Sequence, residues 1–387
     1  MMKKTVWALL ACVLLLVCGM AHAQTLPSNE IFSPGLVRLA ELEKAQPHVS
    51  AQAQVSISKA AYARDLSVLG AMLDGMTIAY EGGTDGETIA FYRGGEELGT
   101  YTLPASEAMD GLEAQLLGAA VLERVPLESL AAWLEGLKAD DALALGFCVS
   151  EPFTLERTMS DDGTRLTKIN VKGAIAKEGQ APYVVEGFLR QPAGRAPKDT
   201  FELKFTQDEA NYIELLYSAL RENEVTRKDK EGTASVRTTL KAAGKIAGSG
   251  ISSRLTVTMK NRWTADGEAL SERVSITATL AHEDRTPGRR MQRLNDVAAE
   301  VKNVIRLTTS EADSSEIALT DEISVDVTLD SNAFLTAGAE VSMRVGAQAA
   351  LPAADAQPID DAAAKALAQK VYRQLDEKTM ETIRKGL

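Results

Sequence analysis

The sequence is poor in residues of the type and spacing that a metal site requires. Beyond residue 23 the chain has two histidines, His48 and His282, and one cysteine, Cys148. Zinc sites use closely spaced Cys and His ligands, and neither C-x-x-C nor H-E-x-x-H occurs in the sequence. We therefore predict no metal site.

The glycines and serines also lack the arrangements that activate a nucleophile or hold a phosphate. No G-x-S-x-G sequence is present, and the nearest cluster, Gly248-Ser249-Gly250, falls between two predicted strands. Glycine and serine are ordinary turn residues at such a position. The longer run Gly244–Gly250 lacks the terminal Gly-Lys-Ser/Thr of a phosphate-binding loop. We interpret it as a turn.

Carboxylates are abundant but fall at predicted turns and helix starts, where they are common. General acid–base catalysis by two carboxyls needs a fixed separation within a cleft. No catalytic constellation emerges, so we expect a protein that is not an enzyme and needs no cofactor. The acidic clusters are Asp140-Asp141, Asp161-Asp162, Asp360-Asp361 and Glu311–Glu316.

One basic cluster, Arg285–Arg293, lies in a chain whose net charge is −12. Two interpretations are open: contact with an anionic wall polymer or headgroup, or a solvated turn, which we favour.

The clearest pattern is the one-sided character of two predicted strands in Ser253–Leu280. Apolar residues alternate there with Thr, Ser, Lys and Arg, which is typical of an antiparallel sheet with one wet face. Exposing such a face would forfeit about 25 cal/mol per Å². A second sheet, helices, a partner or a ligand must therefore cover it. The predicted ligand contacts are Leu255, Val257, Met259, Trp263, Val274 and Ile276.

Two predicted helices are candidates for this cover. The first is Thr206–Leu220, which begins with the capping box Thr206-Gln207-Asp208-Glu209 and has Ile213, Leu216, Tyr217 and Leu220 on one face. The second is Asp360–Lys385, with Ala366, Val371 and Leu375 facing inward. An alternative for the second helix is a mobile tail that docks on a partner.

The first half of the chain mixes helices and strands. Ser33 and Pro34 predict the N-cap and first residue of a short helix. Further helices are predicted at Lys59–Asp74, Ser106–Arg124 and Pro126–Lys138, with short strands between them. From about Asp140 onward strands dominate.

These elements predict an α+β fold class, with long antiparallel β-meander sheets in a half-barrel or sandwich and a few covering helices. We divide the chain into a signal peptide (1–23), an N-terminal α+β module (24–140), a β-rich antiparallel domain (141–350) and a linker with a C-terminal amphipathic helix (351–387).

The first 23 residues predict export. A basic start, the apolar run Thr5–Met20 and Ala21-His22-Ala23 follow the order of a signal peptide. An uncleaved anchor is the alternative, but the run is shorter than the roughly 20 residues of a span. A lipid anchor at Cys12 is the second choice, because the apolar run continues past it. We predict an exported protein, secreted, periplasmic or cell-envelope associated, without a transmembrane span in the mature chain.

Removal of the signal peptide takes away Lys3 and Lys4 and changes the net charge from −12 to −14. This overall charge disfavours nucleic acid and anionic headgroups as partners. Only Cys148 remains, so the mature chain forms no internal disulfide and depends on core burial.

The order of elements resembles the superfamily of periplasmic lipoprotein carriers and mycobacterial-type lipid-binding lipoproteins, in which helices plug a half-open antiparallel sheet. The resemblance covers Leu36–Leu103 and again Thr164–Leu329. It implies binding of acyl chains between sheet and helices, without catalysis. The chain departs from this pattern in lacking a clear lipobox and in having few aromatic residues.

Two functions follow from these patterns. The first is a non-enzymatic envelope protein that binds or carries a hydrophobic, acyl or lipid ligand. The alternative is a structural or protein-interaction module of the envelope, whose β core is filled and which binds a protein partner.

Overall fold

The structure is a computed structural model, and it describes residues 33–45, 49–60, 70–83, 86–103, 126–143, 146–192, 198–222, 233–248, 250–266, 269–285, 296–309, 316–345, 357–358 and 361–375. Three helices are described in full, α1 (Pro34–Ala45), α2 (Leu127–Gly136) and α3 (Asp361–Arg373), and residues 70–73 are the described end of another. The strands are β1 (Val49–Ala60), β2 (Met76–Gly83), β3 (Gly86–Arg93), β4 (Glu96–Leu103), β5 (Phe147–Met159), β6 (Leu166–Lys177), β7 (Tyr183–Arg190), β8 (Lys198–Thr206), β9 (Tyr212–Glu222), β10 (Thr233–Gly248), β11 (Ile251–Asp266), β12 (Ala269–Asp284), β13 (Asp296–Thr309), β14 (Ile317–Leu329), β15 (Asn332–Val345) and the two-residue β16 (Gln357–Pro358).

All sixteen strands belong to one sheet. From β5 to β15 each strand pairs antiparallel with the next, and β1 to β4 do the same. The two series join because β1 pairs with β15, with Val49 opposite Val345 and Ala51 opposite Met343. Strands from both halves of the chain therefore share one sheet, while the proposed domain division stays a prediction.

Turn chemistry explains why the strands reverse where they do. Gly163, in the predicted Asp161-Asp162-Gly163 turn between β5 and β6, has a φ of 69°, which glycine adopts without strain. Asp330 and Ser331 join β14 to β15 with φ values of 49° and 65°. Two consecutive positive φ angles are the mark of the hairpin turn whose twist matches the flanking strands.

The register separates the sheet into two faces. Trp263 lies opposite Glu272, which lies opposite Leu307, and Leu307 lies opposite Leu319. Cross-strand partners share a face, so these four side chains belong together. We call this side the apolar face and the other side the polar face. On β11, β13 and β14 the odd-numbered residues lie on the apolar face, and on β12 the even-numbered residues do.

All three helices pack on the apolar face. Helix α1 buries Leu36 and Leu39 against Leu307, Ile317 and Val345. Its predicted N-cap is confirmed, since the Ser33 hydroxyl oxygen accepts a hydrogen bond from the Leu36 backbone N–H at 3.2 Å.

The other two helices cover the ends of the strand order. Helix α2 buries Leu127 and Ala131 against β6 and β7, where Ile169 and Leu189 are fully or almost fully buried. Helix α3 buries Val371 in a cluster with Met76 and Leu98 of β2 and β4, and the Lys370 ammonium donates to the Leu98 carbonyl at 2.6 Å.

The two edges of the sheet are protected in different ways. Edge strand β5 has three register irregularities against β6 and contains Pro152, features that discourage pairing with another chain. At the opposite edge, β4 pairs in parallel with the short β16.

The predicted α+β class is wrong, because the described chain is mostly β, with short helices on one sheet. The helix predicted at Thr206–Leu220 is the largest single error: β9 occupies most of it and pairs with both β8 and β10. Its spacing of Ile213, Leu216 and Tyr217 also fits a strand. Ile213 is buried on the apolar face and Leu216 is 41% exposed on the polar face.

Several predictions lie wholly or partly outside the described residues. They are the signal peptide, residues 61–69 of the helix predicted at Lys59–Asp74, the helix Ser106–Arg124, His48, the basic cluster beyond Arg285, and the C-terminal helix beyond Leu375. Residues 70–73 of the helix predicted at Lys59–Asp74 are helical, whereas Lys59 and Ala60 belong to β1. No helix among the described residues is long and apolar enough to cross a membrane.

Candidate ligand-binding face

The structure places all six predicted ligand contacts on the apolar face of β11 and β12. Met259 lies opposite Ile276, and Trp263 lies two positions beyond Asn261, which is opposite Val274. Met259 and Ile276 pack with Val274, which is 2% exposed, in a cluster with Ala219 and Leu240. This part of the predicted site is therefore core between strands, and contact with a ligand stays a prediction.

Leu255 and Val257 lie further along β11, in a part of the apolar face that we call the apolar lane. Cross-strand partners carry the lane over four strands, and its side chains are half-buried or exposed; Val301 is 37% exposed. None of the described hydrophobic clusters that contain a helix includes a lane residue. The lane consists of Leu255 and Val257, Ala278 and Leu280, Ala299 and Val301, and Val325 and Val327.

A buried carboxylate of β12 fastens α1 to the apolar face, at a distance from the lane. Glu272 is 3% exposed and accepts hydrogen bonds from the Gly35 backbone N–H at 2.6 Å and the Asn261 amide at 2.5 Å. The Ser33 hydroxyl donates to the same carboxylate. Burial raises the pKa of Glu272, and these hydrogen bonds oppose that rise. A carboxylate at a helix N-terminus also interacts favourably with the helix dipole.

A second polar pair interrupts the apolar face between α1 and the lane. The Asn303 amide of β13 donates to Asp321 of β14 at 3.2 Å. Asn303 Oδ1, the only oxygen of that amide, and Asp321 Oδ1 are both buried without a hydrogen-bond partner among the described residues. Burial raises the pKa of Asp321. Both oxygen atoms can therefore still accept a hydrogen bond. Burying a polar atom without a partner costs free energy, and a donor that reached these atoms would reduce that cost.

Trp263 adds an unused donor to the same face. Its indole Nε1 is buried without a hydrogen-bond partner among the described residues. The site therefore combines an apolar surface with a few polar groups, which is the usual composition of a small-molecule site. Sequence reasoning identified Trp263 by its position in the strand but missed Glu272, Asn303 and Asp321. The available signal was a polar residue at an apolar-face position, as at Asn261.

The described residues assemble no catalytic or metal-binding constellation. The Ser253 hydroxyl and His282 Nδ1 lie 2.7 Å apart, which is nucleophile-to-base distance. The second ring nitrogen has no carboxylate hydrogen-bond partner among the described side chains, so the orienting member of a triad is missing. No group of three metal-ligating residues occurs in the described ranges.

The opposite, polar face is built for water. Oppositely charged side chains face each other across neighbouring strands, as Lys172 and Glu186 do at 3.1 Å and Arg306 and Glu322 do at 2.5 Å. These groups are largely exposed, so each pair contributes little to stability. Their presence shows which side of the sheet is hydrated.

The chain has only weak similarity to proteins of known structure. No family model and no curated protein matches the chain. Among solved structures, OccK11 (OpdR) of Pseudomonas aeruginosa aligns with a TM-score of 0.22 and 6% identity, covering 77% of this chain and 94% of that one. OpdK of Pseudomonas aeruginosa with vanillate gives 0.21 and 7%, covering 76% and 97%. OccK2 (OpdF) of Pseudomonas aeruginosa with glucuronate gives 0.20 and 7%, covering 78% and 98%.

TM-scores this low support no conclusion about fold or function. The resemblance to lipoprotein carriers, which was drawn from the order of elements, is not supported by these comparisons.

Proposed function

We propose that the protein is a non-enzymatic, exported protein of the cell envelope that binds a hydrophobic ligand on the apolar face of its sheet. The predicted signal peptide supports export. The observation that carries the proposal is the apolar lane, which continues the face that the helices cover elsewhere. A sheet face of this composition gains free energy by leaving water, at about 25 cal/mol per Å².

The arrangement of groups along the strands favours a ligand with an apolar body and one polar end. Asn303 lies one position on the apolar face from Val301, and Ile323 lies between Asp321 and Val325 on β14. A ligand whose chain follows the lane would therefore bring its polar end to Asn303 and Asp321. Their free Oδ1 atoms accept hydrogen bonds, so a hydroxyl, amide or amine is the group that fits.

Native mass spectrometry of protein purified from its own host tests the proposal directly. We expect a co-purifying small molecule, and after its removal we expect saturable binding of a fluorescent fatty acid. A protein that carries no ligand and binds no acyl probe would contradict the proposal. It would favour the alternative, a structural or interaction module with a filled core.

A pair of adjacent substitutions locates the binding site. Val257 lies on the apolar face and Thr258 on the polar face of the same strand. Val257→Lys places a charge in the lane and is expected to abolish probe binding, whereas Thr258→Lys is the matched control and is expected to bind as the original protein does. Equal binding by both variants would place the probe elsewhere.

A further inference from the structure

Four arginines form a row across the polar face of β10 to β13. Arg237 lies opposite Arg262, and Arg262 lies opposite Arg273. Arg273 in turn lies opposite Arg306. Neighbouring strands are only about 4.8 Å apart, and like charges directly opposite each other destabilise a sheet. A row of this kind costs stability unless an anion offsets the repulsion.

The two central arginines are less well neutralised than the end of the row, because the Glu322 carboxylate feels the charge of Arg273 but bonds to Arg306. Arg262 and Arg273 are both exposed, and neither forms an ion pair with a described residue. By contrast, Arg306 at the end of the row is neutralised by Glu322. The centre of the row therefore presents two adjacent guanidinium groups that are available to an external anion.

The surrounding polar face of β10 to β12 has the same sign of charge. By register, the acids on this side are Asp266 and Glu283, and each lies at the end of its strand. The other basic residues on the polar side of these strands are Lys241, Lys245, Arg254 and Lys260.

From this juxtaposition we propose that the polar face of β10 to β12 docks on a membrane surface through the phosphates of anionic phospholipids. Positions between the basic residues are occupied mainly by hydroxyl side chains, including Thr256, Thr258, Ser275 and Thr277. Guanidinium and hydroxyl groups both donate to phosphate oxygens. A surface of three 16-residue strands spans many headgroups.

The composition of this surface argues against other partners. The register places no aromatic residue on the polar side of β10, β11 or β12, and Trp263 lies on the apolar face. Binding of single-stranded nucleic acid uses aromatic side chains on which bases stack. Insertion into the hydrocarbon region would need apolar side chains. Headgroup contact without insertion fits the groups that are present.

The net charge, −12 for the whole sequence and −14 without the predicted signal peptide, does not oppose this docking. At physiological salt the Debye length is about 8 Å, so exposed charges further away are largely screened. Along the row, Arg262 and Arg273 lie between Arg237 and Arg306, and the acids Glu222 and Glu322 lie at its two ends. The two central arginines therefore keep basic neighbours on both sides. Overall charge is therefore a poor guide to the partners of this face. The inference does not depend on the proposed ligand, which lies on the opposite side of the sheet.

Vesicle co-sedimentation of the full mature chain tests the inference. We expect binding to vesicles of phosphatidylglycerol mixed with phosphatidylcholine, and no binding to phosphatidylcholine alone. Raising the salt from about 0.1 M to about 1 M, which shortens the Debye length roughly threefold, is expected to release the protein. Free glycerol phosphate is included as a competitor, because a site for single phosphates would be blocked by it and a membrane-docking surface would not.

The double substitution Arg262→Gln/Arg273→Gln is expected to weaken vesicle binding roughly 10- to 30-fold, in line with the contribution of basic residues near an anionic surface. It removes a repulsion, so the variant is expected to fold; circular dichroism and the thermal midpoint verify this. Arg190→Gln/Arg344→Gln is the matched control, since both residues are exposed and the net charge changes equally. It is expected to retain binding.

Several outcomes would overturn the inference. They are no binding of the original protein at low salt, equal binding to uncharged vesicles, equal loss of binding in the two double variants, and displacement by glycerol phosphate. Tighter retention on a soluble acidic polymer such as heparin than on vesicles would also overturn it in favour of a polyanion partner.

Discussion

Glu272 in β12 holds the N-terminus of α1 by accepting a hydrogen bond from the backbone N–H of Gly35 at 2.6 Å, across 237 residues of sequence. The helix packs through only a few apolar side chains, against residues of β1, β13, β14 and β15. Helices of this length are marginal by themselves, so tertiary contacts decide whether α1 stays on the sheet. This hydrogen bond sets the position on the apolar face at which α1 begins.

Removal of the carboxylate is expected to destabilise the protein. In Glu272→Ala the Gly35 N–H and the Asn261 amide lose an acceptor inside the protein, which we expect to lower the free energy of unfolding by about 2–4 kcal/mol. Urea denaturation measures the change. Glu283→Ala on the exposed side of the same strand is the control and is expected to fall within about 0.5 kcal/mol of the original protein. Equal stability of the two variants would show that Glu272 does not hold α1.

The raised pKa of Glu272 predicts how its contribution varies with pH. Between its ordinary value of 4.5 and its higher folded pKa, the folded chain keeps a proton that the unfolded chain has released. The part of the stability that depends on this proton is therefore fully present below about pH 4.5 and is lost as the pH rises through the folded pKa, while the hydrogen bonds that Glu272 accepts remain.

The comparison that isolates this effect uses Glu272→Gln, which retains an acceptor for Gly35 but does not titrate. The free energy of unfolding is measured from pH 4 to pH 8 for both proteins. We expect the original protein to lose stability relative to the variant across this window. A difference that stays constant with pH would contradict the raised pKa. Asp321 shifts in the same direction but is present in both proteins and cancels.

Much of the sheet could be predicted from the sequence, because alternation and turn residues are local signals. The strands around Ser253–Leu280 and the Asp161-Asp162-Gly163 hairpin are where they were predicted. The helix at Thr206–Leu220 was wrong because its apolar residues fit both periods, and only pairing with β8 and β10 decides between them. Joining β1 to β15 is a long-range contact that no local pattern indicates.

The candidate site was predicted only in part, for a related reason. Leu255 and Val257 were found because they belong to an apolar alternation. Glu272 and Asp321 are acidic residues in a chain rich in acids, and their burial depends on strands and a helix distant in sequence. The row of arginines could not be predicted from the sequence for the same reason. Arg262 and Arg273 become neighbours only when β11 pairs with β12.

Replacement of Gly35 by alanine is expected to destabilise the protein, although replacing glycine by alanine within a helix usually stabilises it. A Cβ at this position would lie 2.4 Å from Glu272 Oε2 and 3.2 Å from Leu307 Cδ1. Gly35→Ala is therefore expected to displace α1 and to lower the thermal midpoint. At the last residue of α2, Gly136 has no heavy atom within 4 Å of such a Cβ. Gly136→Ala is the matched control and is expected to be neutral or stabilising by up to about 1 kcal/mol. A stabilising Gly35→Ala would rule out the close contact.

The Asn303–Asp321 pair provides a test of whether the polar groups on the apolar face serve stability or binding. Replacing one partner leaves the other buried without its hydrogen bond, so Asn303→Leu and Asp321→Leu are each expected to cost about 1–3 kcal/mol. The double variant Asn303→Leu/Asp321→Leu removes both polar groups and extends the apolar lane. We expect it to be at least as stable as the original protein, because well-packed apolar replacements of buried polar pairs are often neutral or stabilising.

Binding is expected to change in the opposite direction from stability. If the pair receives the polar end of a ligand, the double variant should bind a fatty alcohol more weakly while retaining a plain hydrocarbon probe. Chemical denaturation and fluorescence titration of the same four proteins give both quantities. A double variant that is destabilised by the sum of the two single effects would show that the residues act independently and that the pair is structural. Unchanged binding of the alcohol would show that Asn303 and Asp321 do not contact the ligand. Deleting a polar group that contacts a ligand must change the affinity for that ligand.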